Sequence, residues 1–122
     1  MAYHPLNLAL RFLLELLVLF ISGYWAWKTQ SGIEKYILVV VLPIAIATIW
    51  GVFAVPNDRS RSGKTVVAVS GIIRLGVEFV VFGSGVWFMY KSMNPIYSIM
   101  FAGIIIFHYA ISDERITWLL KQ

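Results

Sequence analysis

The sequence has no cysteine and few charged residues, and each shortage excludes a class of protein. Without cysteine the chain has no disulfide, thiolate metal site or cysteine nucleophile. The two histidines, His4 and His108, lie at opposite ends of the chain, so we expect no dedicated metal site and no cofactor. Charged residues make up 13 % of the chain, against about 25 % in an average soluble domain. This composition excludes a water-soluble globule.

Hydrophobic residues are abundant instead. They make up 60 % of the 122 residues, and the mean hydropathy is +0.81. Lysine and arginine outnumber aspartate and glutamate by 10 to 6, but they occupy short segments between apolar runs and form no basic face. Nucleic acid is therefore not a predicted partner, whereas the lipid bilayer is. The length allows a single domain over residues 1–122.

Polar breaks divide the chain into four apolar segments, each a candidate membrane span. A span needs about 20 residues to cross roughly 30 Å of hydrocarbon. The candidates cover approximately residues 6–27, 33–55, 66–90 and 95–111. Short connections favour antiparallel neighbours, so the predicted fold class is all-α, an integral membrane four-helix bundle. After the fourth span, residues 112–115 return to water and residues 116–122 are predicted to lie along the membrane interface.

The distribution of basic residues predicts an orientation. Four spans place both termini on the same side of the membrane, and five basic residues are assigned to that side against three on the other. The positive-inside rule then predicts that both termini are cytoplasmic. The five are Arg59, Arg61, Lys64, Arg115 and Lys121, and the three are Lys28, Lys35 and Lys91.

The first and third spans share a sequence motif. An offset of 63 residues aligns Arg11 with Arg74 and Glu15 with Glu78, within the pattern Arg-x3-Glu-x8-aromatic-aromatic-x-aromatic-Lys. Because one span separates the two copies, both cross the membrane in the same direction. The bundle is therefore predicted to consist of two parallel-repeat helical hairpins, with residues 64–122 repeating the first hairpin.

The repeated motif places charges near the bilayer midplane. Glu15 and Glu78 lie about 15 Å and about 18 Å from the starts of their spans, and each arginine shares a helix face with its glutamate at i,i+4 spacing. Such a charge costs at least about 2.5–3.5 kcal/mol in lipid, so all four must face inward. We expect a buried polar centre in which Arg11 and Arg74 pair with Glu15 and Glu78, within helices or crossed between them.

Two interpretations of this centre remain open. The four charges could simply fix the helices in register as a polar staple. Alternatively, they line a cavity in which the arginines attract a small anion or lipid headgroup and a glutamate carries a proton. His108 lies at a depth similar to Arg11 and could bond Glu15 or Glu78 as a proton relay, or be a packed, hydrogen-bonded histidine.

Four segments resemble a known family. They are residues 7–16 (NLALRFLLEL), 23–25 (GYW), 50–56 (WGVFAVP) and 74–82 (RLGVEFVVF). The chain resembles, over nearly its whole length, the YrdB-like family of small bacterial membrane proteins, which has no known function. The resemblance implies four spans and charged residues at the Arg11, Glu15, Arg74 and Glu78 positions. It supplies no activity.

The functional prediction is therefore a small-molecule-binding, ion-binding or transport-type membrane protein with a buried Arg/Glu centre. A transport pathway would require more space than four helices enclose, which favours a homodimer. The alternative is a structural or accessory membrane subunit in which the ion pairs only staple the helices. An enzyme is not predicted, because the sequence offers no metal-ligand cluster, nucleophile–base pair or cofactor fingerprint.

Overall fold

The computed structural model describes residues 3–56, 58 and 65–122. Within these ranges the chain forms five helices and a pair of two-residue strands. The helices are α1 (Pro5–Thr29), α2 (Gly32–Val52), α3 (Gly71–Ser92), α4 (Pro95–Ala110) and α5 (Asp113–Leu120), and the strands are β1 (Phe53–Ala54) and β2 (Val67–Ala68). The all-α class predicted from the sequence is confirmed.

The helix ends follow local chemistry. Proline occupies the first position of both α1 and α4, where its missing N–H costs no hydrogen bond. The residue before each proline caps the helix: His4 Nδ1 accepts from the Leu6 N–H at 3.1 Å, and Asn94 Oδ1 accepts from the Ile96 N–H at 3.1 Å. Gly32, with φ of 64°, allows the tight turn between α1 and α2.

The short strands shorten two of the predicted spans. β1 and β2 pair in parallel, with Phe53 opposite Val67, and the Val69 N–H donates to the Ala54 carbonyl at 2.9 Å. As a result α2 ends at Val52 and α3 begins at Gly71, where the sequence predicted boundaries at 55 and 66. Periodicity does not distinguish a short apolar strand from the end of a helix. Arg59, Arg61 and Lys64, used in the orientation prediction, lie outside the described residues.

The helices pack around α3. α1 packs against α2 and α3, and α3 also packs against α4 and α5. The core contains Val18, Phe82, Phe101 and Leu119, one from each of α1, α3, α4 and α5. At Gly71 a Cβ would overlap the Leu119 backbone, so α5 lies directly against the start of α3. This contact packs α5 against the start of α3, and the interfacial position of residues 116–122 stays a prediction.

Apolar surface dominates the outside of the protein. None of the residues of α2 is buried, although this helix is predominantly apolar after Glu34 and Lys35 in its first turn. Helices α1, α2 and α3 are long and apolar enough to cross a membrane. Helices α4 and α5 form a pair bent by 69°, which makes a fourth candidate if the two count as one broken span.

Candidate functional site

The Glu78 carboxylate lies at the centre of a buried ionic cluster. Glu78 is fully buried on α3. Arg11 of α1 donates from Nη1 to Oε1 at 3.3 Å and from Nη2 to Oε2 at 3.0 Å. Arg74, one turn before Glu78, donates from Nε to Oε2 at 2.9 Å. Of the pairings considered from the sequence, the crossed pair Arg11–Glu78 and the intrahelical pair Arg74–Glu78 therefore form and share this carboxylate.

Arg115 adds a third guanidinium to the cluster. It donates from Nη1 to Glu78 Oε1 at 2.9 Å and from Nη2 to Glu78 Oε2 at 2.7 Å. It also binds Asp58 through Nε at 3.2 Å and Nη2 at 2.6 Å. The prediction that Arg115 faces water is wrong, since only 2 % of the residue is exposed. Two buried carboxylates compensate for its desolvation.

Glu78 is saturated with hydrogen bonds. Besides the three arginines, the Tyr109 hydroxyl of α4 donates to Oε1 at 2.7 Å. The carboxylate thus accepts six hydrogen bonds, whereas its two oxygens offer about four lone-pair directions. No position remains on Glu78 for a ligand.

Two of the guanidinium groups also attach the end of α2 to the cluster. Arg74 donates through Nη1 to the carbonyls of Trp50 and Phe53, where α2 passes into β1. The guanidinium carbons of Arg11 and Arg74 lie 4.9 Å and 4.7 Å from the centre of the Trp50 ring. Cation–π attraction of this kind is strongest for desolvated groups. The cluster therefore contacts α1, α2, α3, α4 and α5.

Glu15 has a different environment from Glu78, its counterpart in the repeated motif. Its side chain is 24 % exposed, and it pairs with Arg11 Nε at 3.4 Å. This is the longest of the ion pairs described in the cluster. The difference arises because Glu78 lies on the central helix, while Glu15 points toward the gap between α1 and the peripheral α2.

A cleft of about 170 Å³ opens beside Glu15. It lies between α1, α2 and α3, and Glu15 is the charged residue in its lining. The other lining residues are apolar: Phe12, Leu16, Leu19, Ile46, Ala47, Trp50 and Val81. The Glu15 carboxylate is therefore reachable from the outside of the protein through an apolar passage.

His108 belongs to a neighbouring hydrogen-bonded group. Its Nδ1 lies 2.9 Å from Asn7 Oδ1, and Asn7 Nδ2 donates to Ser112 Oγ at 2.8 Å. Ser112 Oγ in turn donates to the His108 carbonyl at 2.7 Å. The Asn7 oxygen accepts, so the network assigns the histidine proton to Nδ1. Its described contacts place His108 with Asn7 rather than with Glu15 or Glu78.

The five predicted site residues are thus distributed over two groups. Arg11, Arg74 and Glu78 meet directly, Glu15 joins through Arg11, and His108 bonds elsewhere. In the described ranges no group of three or more His, Cys, Asp or Glu side chains could hold a metal ion.

Sequence reasoning missed Asp58, Tyr109 and Arg115. No sequence motif marks these three residues. Arg115, for example, reaches the cluster only through the bend between α4 and α5. The one available signal was charge: an arginine near the end of the fourth span needs a buried carboxylate if it does not reach water.

The geometry defines an all-helical protein whose apolar helices are joined by a buried ionic cluster. Residues 9–106 match the family described as "Protein of unknown function (DUF2568)", and the chain belongs to this family. It is similar to "Uncharacterized protein YrdB" of Bacillus subtilis (strain 168), with 51 % identity over 116 residues that cover 95 % of this chain and 94 % of the relative. The resemblance to YrdB-like proteins is confirmed. No solved structure matches the chain.

Proposed function

We propose that the protein is an integral membrane four-helix bundle that binds a small molecule or ion at Glu15. The apolar, unburied α2 supports the membrane assignment, since a helix that is hydrophobic all round needs an apolar surrounding. The exposed leucine, isoleucine, valine and phenylalanine side chains on α1, α3 and α4 support it further. The bundle lies in the bacterial inner membrane with both termini in the cytoplasm, and the repeated motif relates its two hairpins.

The observation that carries the binding role is the contrast between the two motif glutamates. Glu78 is fully buried and its carboxylate accepts six hydrogen bonds, whereas Glu15 is partly exposed in a cleft that is otherwise apolar. Binding sites typically combine such an apolar lining with a small number of polar groups. Glu15 supplies the polar group, and the Glu78 cluster holds α1, α2 and α3 in the positions that form the cleft.

A lipophilic carbodiimide tests this proposal. The reagent reaches carboxyl groups through the membrane and converts the protonated form to a stable N-acylurea. The reaction is run at mildly acidic pH, where an accessible carboxylate is partly protonated, and peptide mass spectrometry locates the product. We expect modification at Glu15 and none at Glu78. Glu15→Gln is the matched control, because it removes the reactive group and preserves side-chain size. Absence of label at Glu15 in the folded protein would contradict the proposal.

A structural or accessory role is the second candidate, and the saturation of Glu78 favours it. A carboxylate held by three arginines and a tyrosine fixes helices more readily than it binds a ligand. If a structural role were the whole function, the ion pair of Glu15 would also serve only to hold the helices together. Glu15→Gln would then destabilise the protein about as much as Glu78→Gln.

A further inference from the structure

We infer that the cleft at Glu15 takes a small hydrophobic ammonium ion, namely a protonated amine on a compact apolar body. The inference rests on the proposed binding role of Glu15 and adds the chemical class of the ligand. It combines the lining of the cleft, its size and the way Glu15 is paired.

The lining determines the charge of the occupant. The Glu15 carboxylate accepts hydrogen bonds and repels anions, so the polar end of a ligand must be a donor. The guanidinium groups of Arg11, Arg74 and Arg115, which would attract an anion, are buried against Glu78, and none of them lines the cleft. The small anion or lipid headgroup considered from the sequence therefore does not suit this cleft, whereas an ammonium ion does.

The size of the cleft determines the body of the ligand. A cavity of about 150 Å³ lined by aliphatic and aromatic side chains holds one benzene molecule. The cleft at Glu15 is similar, at about 170 Å³, and Phe12 and Trp50 add aromatic surface to its aliphatic walls. A single six-membered ring carrying a short amine fits this space.

The Glu15 carboxylate has two described partners, Arg11 and a hydrogen bond from the Trp50 side chain, and a ligand has to exchange only with these. Arg11 keeps both terminal nitrogens on Glu78, at 3.3 Å and 3.0 Å, while its contact with Glu15 is the longer one of 3.4 Å. A ligand ammonium can bind the Glu15 carboxylate while Arg11 remains paired with Glu78. Exchange of this kind leaves no arginine without a carboxylate, which would otherwise be costly.

Three probes with the same ring separate the classes of ligand. They are benzylammonium, benzyl alcohol and benzoate, added near neutral pH to the purified full chain in detergent, with the thermal unfolding midpoint as readout. Benzylammonium is expected to raise the midpoint in a saturable manner, because a ligand that binds only the folded state stabilises it. Benzyl alcohol should bind at least about tenfold more weakly, and benzoate should have no effect.

Two variants locate the effect. Glu15→Gln should weaken the benzylammonium response at least about tenfold while leaving the midpoint of the free protein nearly unchanged. Ala47→Phe fills the cleft and keeps Glu15, and should abolish the response. Equal responses to benzylammonium and benzyl alcohol, stabilisation by benzoate, or a full response in Glu15→Gln would each overturn the inference.

The carbodiimide experiment distinguishes failure of the ligand class from failure of the binding role. If the reagent modifies Glu15 but benzylammonium has no effect, the ammonium class is wrong and the proposed binding role stands. If Glu15 is also unreactive, both are wrong.

Discussion

Replacement of Glu78 by glutamine should strongly destabilise the protein. The change leaves three buried arginines against Asp58 and Glu15, and it replaces one accepting oxygen by an amide that points N–H groups at guanidinium donors. Breaking a buried ion pair by removing one partner costs about 3–5 kcal/mol. That is a large part of the roughly 5–15 kcal/mol by which a folded domain is stable. For a chain of this length we expect the unfolding midpoint to fall by about 10 °C or more.

The same substitution at Glu15 is the matched control. Glu15→Gln makes an identical chemical change at the equivalent position of the repeat, but on a partly exposed side chain with a 3.4 Å ion pair. We expect a loss of no more than about 1 kcal/mol. Thermal unfolding in detergent, followed by near-ultraviolet circular dichroism, measures both variants. Equal losses of unfolding free energy in the two variants would refute the conclusion that Glu78 is buried and fully paired while Glu15 is accessible.

A double substitution tests the electrostatic origin of the loss. Arg11→Met combined with Glu78→Gln removes one charge of each sign and leaves Arg74 and Arg115 against Asp58 and Glu15. The double variant should be less destabilised than the sum of the two single variants, because Arg11 and Glu78 are directly paired and the double change no longer leaves the Arg11 guanidinium without that carboxylate. Strict additivity would show that the loss at Glu78 has another cause.

Further expectations concern Tyr109 and the glycines of α3. Tyr109→Phe removes the 2.7 Å hydrogen bond to Glu78 and keeps the ring, so the unfolding free energy should fall by about 1–3 kcal/mol; an unchanged midpoint would contradict this contact. Gly71→Ala should displace α5, because the new methyl group overlaps Leu119, and should expose the C-terminus to limited proteolysis. Gly76→Ala is the control, because its new methyl group meets no atom within 4 Å, and it should leave stability unchanged or slightly higher. Identical proteolysis patterns in Gly71→Ala and Gly76→Ala would contradict the packing of α5.

Much of the fold and part of the site could be predicted from the sequence. Apolar length located all four long helices, α1 to α4, and the i,i+4 spacing of Arg74 and Glu78 identified a real ion pair. The cost of an intramembrane charge predicted that Arg11 would find a carboxylate, and it bonds Glu78. These properties depend on local spacing and on hydrophobicity, which a single sequence contains.

The rest of the site depends on tertiary packing. Arg115 reaches Glu78 only because α5 turns back by 69° and seats Leu119 against Gly71. Asp58 lies between β1 and β2 in the chain, and helical periodicity did not reveal this strand pair. Glu15 and Glu78 have the same local motif, yet Glu78 lies on the central helix α3 and Glu15 faces the peripheral helix α2. The repeated motif therefore did not distinguish the two glutamates, and their different surroundings in the fold did.

The rates at which a lipophilic carbodiimide modifies the individual carboxyl groups, in native membranes, test the central claim most directly. The reaction is followed over time, and peptide mass spectrometry assigns the product to each glutamate. We predict rapid modification of Glu15 and no modification of Glu78 while the protein stays folded. Modification of the two residues at similar rates would contradict the account.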